Sequence, residues 1–231
     1  MKILAVDTTC LTASCAVVED GRIIAELSTQ HAKTHSQKLV PMIESMMGLL
    51  EMKLDAIDLF AAAIGPGSFT GLRIGVVTIK GLAYALKRPV VGIPSLDALA
   101  YSVKDFDGII CPMIDARNDQ VYTAMYESGS KDFKRLGDYM GIHKSELAEI
   151  LKGNTSDVLF LGDAASLHFG YFKEQLHEKL FMADPVLYTP RASATALLAW
   201  KKAVDGLYVS PFELEPLYLR KSQAERMKEM S

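Results

Sequence analysis

Apolar positions open the chain in strand-like runs and then change period. Lys2 to Thr8, Ser14 to Glu19 and Arg22 to Ser28 are short and β-rich, and Asp20-Gly21 between the last two is a hairpin signal. From about Thr34 to Glu51 the spacing becomes helical. Leu39, Met42, Ile43, Met46, Met47, Leu49 and Leu50 cover more than one narrow stripe, so the extra apolar face needs burial. Leu59 to Ile64 is a continuous apolar run of buried-strand type, Ile74 to Lys87 returns to helical spacing, and Pro89 to Ile93 is again strand-like. Three antiparallel strands followed by a parallel crossover are the predicted order.

A second series starts near Asp105. Ile109 to Asp115 and Val121 to Tyr126 read as strands around the polar turn Arg117-Asn118-Asp119-Gln120, and Lys144 to Lys152 as a helix. Val158 to Leu161 is a short buried strand, followed by Gly162-Asp163, where a ligand could approach. Ala164 to Lys179 and Ala192 to Val204 read as helices, and Pro185, Pro190, Pro211 and Pro216 mark extended connections. The predicted units are 1–104 and 105–231, the late helix and tail being free to pack back on the first. No residue-level repeat is visible, although both units open with strands.

The stretch with the most chemical content is Gly65-Pro66-Gly67-Ser68-Phe69-Thr70-Gly71-Leu72-Arg73-Ile74-Gly75, placed between strand and helix. Its glycines permit close backbone approach, Ser68 and Thr70 suit an N-cap, and the helix would aim unpaired N–H groups at the turn. Gly65, Gly67, Ser68, Thr70 and Gly71 are therefore candidate contacts for phosphate or carboxylate. A tight turn whose glycines only let helix and sheet pack would look the same. The Lys of a Walker A loop is absent, and the loop is not the G-x-G-x-x-G of a chain-leading βαβ unit.

Asp7-Thr8-Thr9 follows the first strand, with Thr12 and Ser14 close by. Hydroxyls and N–H groups there could donate to an anion while the carboxylate orders Mg²⁺ or water. The same residue types satisfy their own backbone in tight turns. His31 and His35 are spaced for one helical face but lack further ligands, and Thr34 and Pro41 place the helix start between them. Asp115, Arg117 and Asp119 read as solvated turn charges. Cys10, Cys15 and Cys111 lack metal spacing and fit reduced, apolar fillers.

With 231 residues, 49% of them apolar, the chain can build a substantial core. A net charge of −3 argues against a nucleic-acid binder working alone. The longest basic feature, Arg220-Lys221 through Lys228, is diluted by Glu225 and Glu229. The chain opens directly into a strand, and no apolar run reaches the ~20 residues of a membrane span. A cytoplasmic location is expected.

The eleven-residue glycine stretch resembles the signature of the bacterial TsaB family, also called YeaZ. The resemblance extends over most of the chain. It takes in Ile3-Leu4-Ala5-Val6-Asp7-Thr8-Thr9, His35 to Pro41, Lys80-Gly81-Leu82-Ala83, Val91-Gly92-Ile93-Pro94-Ser95-Leu96 and Glu215-Pro216-Leu217-Tyr218-Leu219-Arg220. It implies an α/β protein of the actin-like ATPase (ASKHA) fold, with two lobes, each a mixed sheet flanked by helices. In that superfamily the Asp7-Thr8-Thr9 turn would be a retained nucleotide site, here with weakened or absent use.

The resemblance further implies a non-catalytic scaffold in the machinery that makes N6-threonylcarbamoyladenosine at position 37 of tRNAs reading ANN codons. Its expected partners are the metal-dependent transferase paralogue of TsaD type, a small ATPase of TsaE type, and a second copy of itself when alone. tRNA would be reached only through the complex. No membrane is involved and no cofactor is required by this chain, ATP and a metal belonging to other subunits. Where the paralogue carries two metal-binding histidines, Ser95 and Leu99 stand here, which removes the Lewis acid. The expected partner surface comprises Leu39, Met42, Ile43 and Met46 of one helix and Gly75, Thr78, Gly81 and Leu82 of the next. The alternatives are a glycoprotease-type peptidase, for which no G-x-S-x-G elbow is present, and a small-molecule kinase or ATPase, whose second-lobe glycine motif is reduced to Gly162-Asp163-Ala164-Ala165.

Overall fold

The computed structural model describes residues 1–30, 34–129, 133–176 and 180–220. In chain order the elements are β1 (Lys2–Asp7), β2 (Ala13–Glu19), β3 (Arg22–Thr29), α1 (His35–Leu49), β4 (Leu59–Gly65), α2 (Phe69–Leu86), β5 (Val90–Pro94) and α3 (Ser95–Tyr101). There follow β6 (Gly108–Asp115), β7 (Gln120–Ser128), β8 (Lys134–His143), α4 (Lys144–Lys152), β9 (Val158–Leu161), α5 (Asp163–Leu176), β10 (Leu180–Met182) and α6 (Ala192–Val204). Among the described residues two units result: Met1–Ser102 with Thr189–Pro216, and Val103–Tyr188 with Leu217–Arg220.

The first sheet has the order β3-β2-β1-β4-β5. β1, β2 and β3 form an antiparallel meander, and β4 and β5 run parallel to β1. Side chains alternate across a strand, so the period-two pattern of β1 and β4 divides the core in two. Leu4, Val6, Phe60 and Ala62 pack beneath α1 and α2. Ile3, Ala5, Leu59 and Ala61 pack with the alanine-rich face of α6.

α6 joins this sheet from far along the chain. The side chain of its N-cap, Arg191, does not cap it, and the sheet supplies the acceptors instead. Ser14 Oγ accepts from the Ala192 N–H at 3.0 Å, and Glu26 Oε1 accepts from the Ser193 N–H at 2.9 Å. A hydroxyl and a carboxylate at a helix N-terminus satisfy its orphan donors and its dipole together. Beyond α6, Val209 pairs with Val90 at the sheet edge through two bonds of 2.9 Å. Leu214 then enters the core under α2.

The second sheet repeats the order: β10-β9-β6-β7-β8, with β6, β7 and β8 antiparallel and β9 and β10 parallel to β6. α4 and α5 contribute to its core, where Phe160 and Phe172 meet edge to face at 4.9 Å. β8, β10 and α3 have no clear sequence signal. β8 carries Gly137 and Gly141 among charged residues and stays partly exposed at a sheet edge; β10 is three residues long. The final residues expected in α5, 177–179, and most of the basic tail lie outside the described residues.

α2 starts at Phe69, five residues before the helical spacing becomes evident at Ile74, because Ser68 is its N-cap and accepts from the Gly71 N–H at 3.3 Å. With 18 residues and mean hydropathy 1.3, α2 is long and apolar enough to cross a membrane by length and composition. Leu72, Val76, Ile79 and Ala83 are its buried inner face.

The proposed partner surface on α1 and α2 needs correction at four positions. Leu39, Ile43 and Met46 are in the interior, and Gly75 is buried against Thr8. The sheet claims the densest apolar stripe of each helix, so the strongest periodicity marks core. Met42, Thr78 and Leu82 are half-buried, and Gly81 is exposed. Met46→Glu is accordingly expected to cost more than about 3 kcal/mol and to unfold a marginal protein. Leu49→Glu, at a residue 78% exposed, leaves the urea midpoint within experimental error. Equal midpoints for the two variants would refute the assignment of faces.

Candidate functional site

The Asp7-Thr8-Thr9 turn and the glycine stretch form one structure. The Ser68 N–H donates to the Thr9 carbonyl at 2.6 Å, and Thr8 Oγ1 donates to the Gly71 carbonyl at 2.7 Å. A Cβ on Gly67 would overlap the Thr9 carbonyl, one on Gly71 would overlap the Thr8 carbonyl, and one on Gly75 would sit 2.5 Å from Thr8 Oγ1. Glycine is required here because α2 lies directly on the backbone of the turn. α1 holds the same turn from its first residue, since His35 Nε2 donates to the Cys10 carbonyl at 2.8 Å. His35 Nδ1 is buried without a partner among the described residues. His31, the other half of the histidine pair, lies outside the described residues.

The polar groups of this turn face inward. Asp7, Thr8 and Thr9 are all buried. Asp7 Oδ1 accepts from the Thr9 N–H at 2.9 Å and from Thr9 Oγ1 at 2.6 Å, while Oδ2 has no partner among the described residues. Burial pushes the Asp7 carboxyl up to about 6, the Thr9 bonds opposing only part of that shift. Thr8 Oγ1, Thr9 Oγ1 and the Ser68 N–H are engaged within the turn and loop. These groups are spent on holding the turn against the loop.

In the second unit Gly162 follows β9, as Gly65 ends β4 in the first. What approaches it is the chain itself: a Cβ there would overlap the Met113 carbonyl. Asp163 Oδ1 accepts from the Asp115 N–H at 3.0 Å and the Ala164 N–H at 2.8 Å, tying α5 to β6. Arg117, Asn118 and Asp119 have consecutive left-handed φ values of 66°, 53° and 58°. Asp119 pairs with Lys144 at 2.7 Å, and Arg117 is exposed. The three cysteines are buried free thiols, and burial pushes Cys15 and Cys111 up to about 12, well away from thiolate reactivity.

The outer faces of α1 and α2 remain. Val40 and Leu49 on α1 and Val77 and Tyr84 on α2 are large, apolar and exposed, Val77 at 66% and Tyr84 at 62%. Gly81 lies between Val77 and Tyr84 at helical spacing, and a Cβ there meets nothing within 4 Å. Sequence reasoning singled out Gly81 on this strip. It missed Val77 and Tyr84, whose signal was the apolarity of α2 on more than its inner face.

The family described as "TsaD: tRNA N6-adenosine threonylcarbamoyltransferase" matches residues 23–228. The Bacillus subtilis tRNA threonylcarbamoyladenosine biosynthesis protein TsaB is 35% identical, over 97% of this chain and 96% of its own. This chain belongs to the TsaB/YeaZ family. The structure of YeaZ from Pseudomonas aeruginosa superposes with a TM-score of 0.80 at 27% identity, covering 94% of this chain and 99% of that one. The fold is the actin-like one. It is shared with the ROK hexokinase of Thermus thermophilus at a TM-score of 0.52 and 13% identity, over 88% of this chain and 100% of that one.

Ser95 and Leu99, the positions that the resemblance sets against the paralogue's histidines, lie in α3 and are fully buried. The Leu99 side chain has no donor atom. Among the described residues no three of His, Cys, Asp and Glu gather as a metal would need. These residues do not fit a metal centre.

Two outcomes are expected from the turn. Gly71→Val forces α2 off the Thr8 backbone and lowers stability by roughly 1–3 kcal/mol or more, read from urea denaturation. An unchanged midpoint would contradict the contact. The carboxyl of Asp7 titrates higher in the folded chain, about 6, than its ordinary 3.8. Its contribution to stability is therefore fully present below the unfolded value and is lost as pH rises through the folded one. Asp7→Asn removes that loss, so the melting temperature of the variant relative to wild type should climb between pH 4 and pH 7. A difference independent of pH would show that Asp7 is not held in a dry site.

Proposed function

We propose that this chain is a non-catalytic scaffold subunit of the complex that installs N6-threonylcarbamoyladenosine at position 37 of tRNAs reading ANN codons. Another enzyme makes threonylcarbamoyl-AMP from threonine, bicarbonate and ATP, and a metal-dependent transferase of TsaD type moves the group to adenosine. The present chain binds and supports that transferase through the outer faces of α1 and α2. It helps to recruit a small ATPase of TsaE type, pairs with itself when the transferase is absent, and reaches tRNA through the assembly. It needs no cofactor of its own and works in the cytoplasm.

One observation supports this reading: a transferase family matches 23–228, while the positions that the resemblance sets against the paralogue's histidines hold buried Ser95 and Leu99. Without a metal there is no Lewis acid to polarise the transferred carbonyl. The exposed Val40, Leu49, Val77 and Tyr84 support the choice of surface, since large apolar side chains exposed along neighbouring helices mark contact sites.

Val77→Asp and Gly81→Arg test the proposal. Both positions are exposed, so the fold should persist by circular dichroism. A charge buried without a partner at an interface costs several kcal/mol, so capture of the transferase should fall by ~100-fold or more, and the modified nucleoside should drop in cells. The wild-type chain alone should form no modified nucleoside from threonylcarbamoyl-AMP and tRNA. Folded variants that still capture the transferase would exclude this face; product from the chain alone would exclude a non-catalytic role.

A further inference from the structure

A groove of about 530 Å³ runs beside the last turn of α2, between that turn and residues 208–213. Its lining includes Tyr84, Tyr208, Val209 and Phe212, all exposed, Phe212 at 72%. The rings of Tyr84 and Phe212 meet edge to face at 5.3 Å. The wall formed by 208–213 is fixed in place. Val209 is bonded to Val90 on the sheet edge, and Lys80 Nζ donates to the Leu214 carbonyl at 3.0 Å and the Phe212 carbonyl at 3.4 Å. A pre-formed apolar cleft of this volume suits one or two anchoring side chains.

The rim is basic. Lys87 and Arg88 line it, and neither has an acidic ion-pair partner among the described residues. Arg88 Nη2 donates to the Asp55 carbonyl at 3.0 Å, which orders the side chain without neutralising it. The nearest acid of the lining, Glu213, accepts from the Ser210 N–H through Oε2 at 3.0 Å. Lys87 has a left-handed φ of 53° at the C-cap of α2, a conformation that favours glycine.

We propose that this groove docks a short acidic segment of a partner protein. An aromatic or leucine side chain of the segment inserts among Tyr84, Tyr208 and Phe212, and an adjacent carboxylate meets Lys87 and Arg88. The site shares Tyr84 with the outer strip but otherwise lies beyond Gly81 on α2, and its remaining lining, Tyr208 to Glu213 with Lys87 and Arg88, is separate from that strip. Aromatic anchors framed by complementary charge are the usual make-up of such contacts.

The test is selection of short random peptides displayed on phage against the folded chain, followed by binding of the selected synthetic peptides. Lys87→Glu and Tyr208→Ser, both exposed, serve as the discriminating variants. The expected peptides place Asp or Glu beside an aromatic residue or leucine, bind less tightly as salt rises, and lose ~10-fold in affinity on each variant while the melting temperature stays constant. Failure to enrich any peptide that prefers wild type over the double variant would overturn the proposal. So would enriched peptides without acidic residues. An oligouridylate that competes with the peptides, its own binding lost in both variants, would reassign the groove to nucleic acid. A wild-type dimer in sedimentation that Tyr208→Ser dissolves would reassign it to a second copy of the chain.

Discussion

The backbone of α2 rests directly on the backbone of the Thr8–Thr9 turn. No side chain separates them at Gly71, while Gly67 in the preceding loop lies against the Thr9 carbonyl and Gly75 makes room for the Thr8 hydroxyl. That contact fixes the depth and angle at which the helix crosses the sheet. The bond from His35 to Cys10 brings α1 to the same turn. The outer strip of Val77, Gly81 and Tyr84 and the groove at the far end of α2 are therefore both set by a contact near its start.

The turn and loop keep the residue types of a phosphate-binding site while directing their polar atoms at each other. Hydroxyl, amide and carboxylate find partners within a few residues or across one backbone contact, and Asp7 Oδ2 is buried without a partner among the described residues. The second unit applies the same device once more, with Gly162 against Met113 and Asp163 reaching back to β6. Two sheets of identical strand order thus share a way of seating the helix after the fourth strand. The polar residues at the ends of these strands thereby serve to seat helices on the sheets.

Much of this was legible in the sequence because it rests on local pattern. Continuous apolar runs located β4 and β9, the left-handed Asp20-Gly21 turn marked the first hairpin, and α4 and α6 match their helical runs. What stayed hidden depends on neighbours distant in sequence. A glycine that avoids a clash with Thr8 looks the same as one that admits a ligand. Met46 and Val77 are equally apolar in the one-letter string, and only the sheet decides that Met46 is inside. β8 is paired through its backbone at an edge, so its side chains carry little periodicity. The common order of the two sheets is a property of pairing and left no residue-level repeat to find.

The reach of α6 back to the first sheet has a consequence for synthesis. Ile3, Ala5, Leu59, Ala61 and Val91 belong to a face that is completed by residues of α6, the last helix among the described residues. The ribosome must add roughly a hundred residues after α3 before that helix emerges, which at ~5–20 residues per second leaves the face open for roughly 5–20 s. The second unit, continuous in sequence through its sheet and helices, can close while the first still waits. A nascent chain of this protein therefore exposes its oldest hydrophobic surface longest, and that surface is where a ribosome-associated chaperone would engage it.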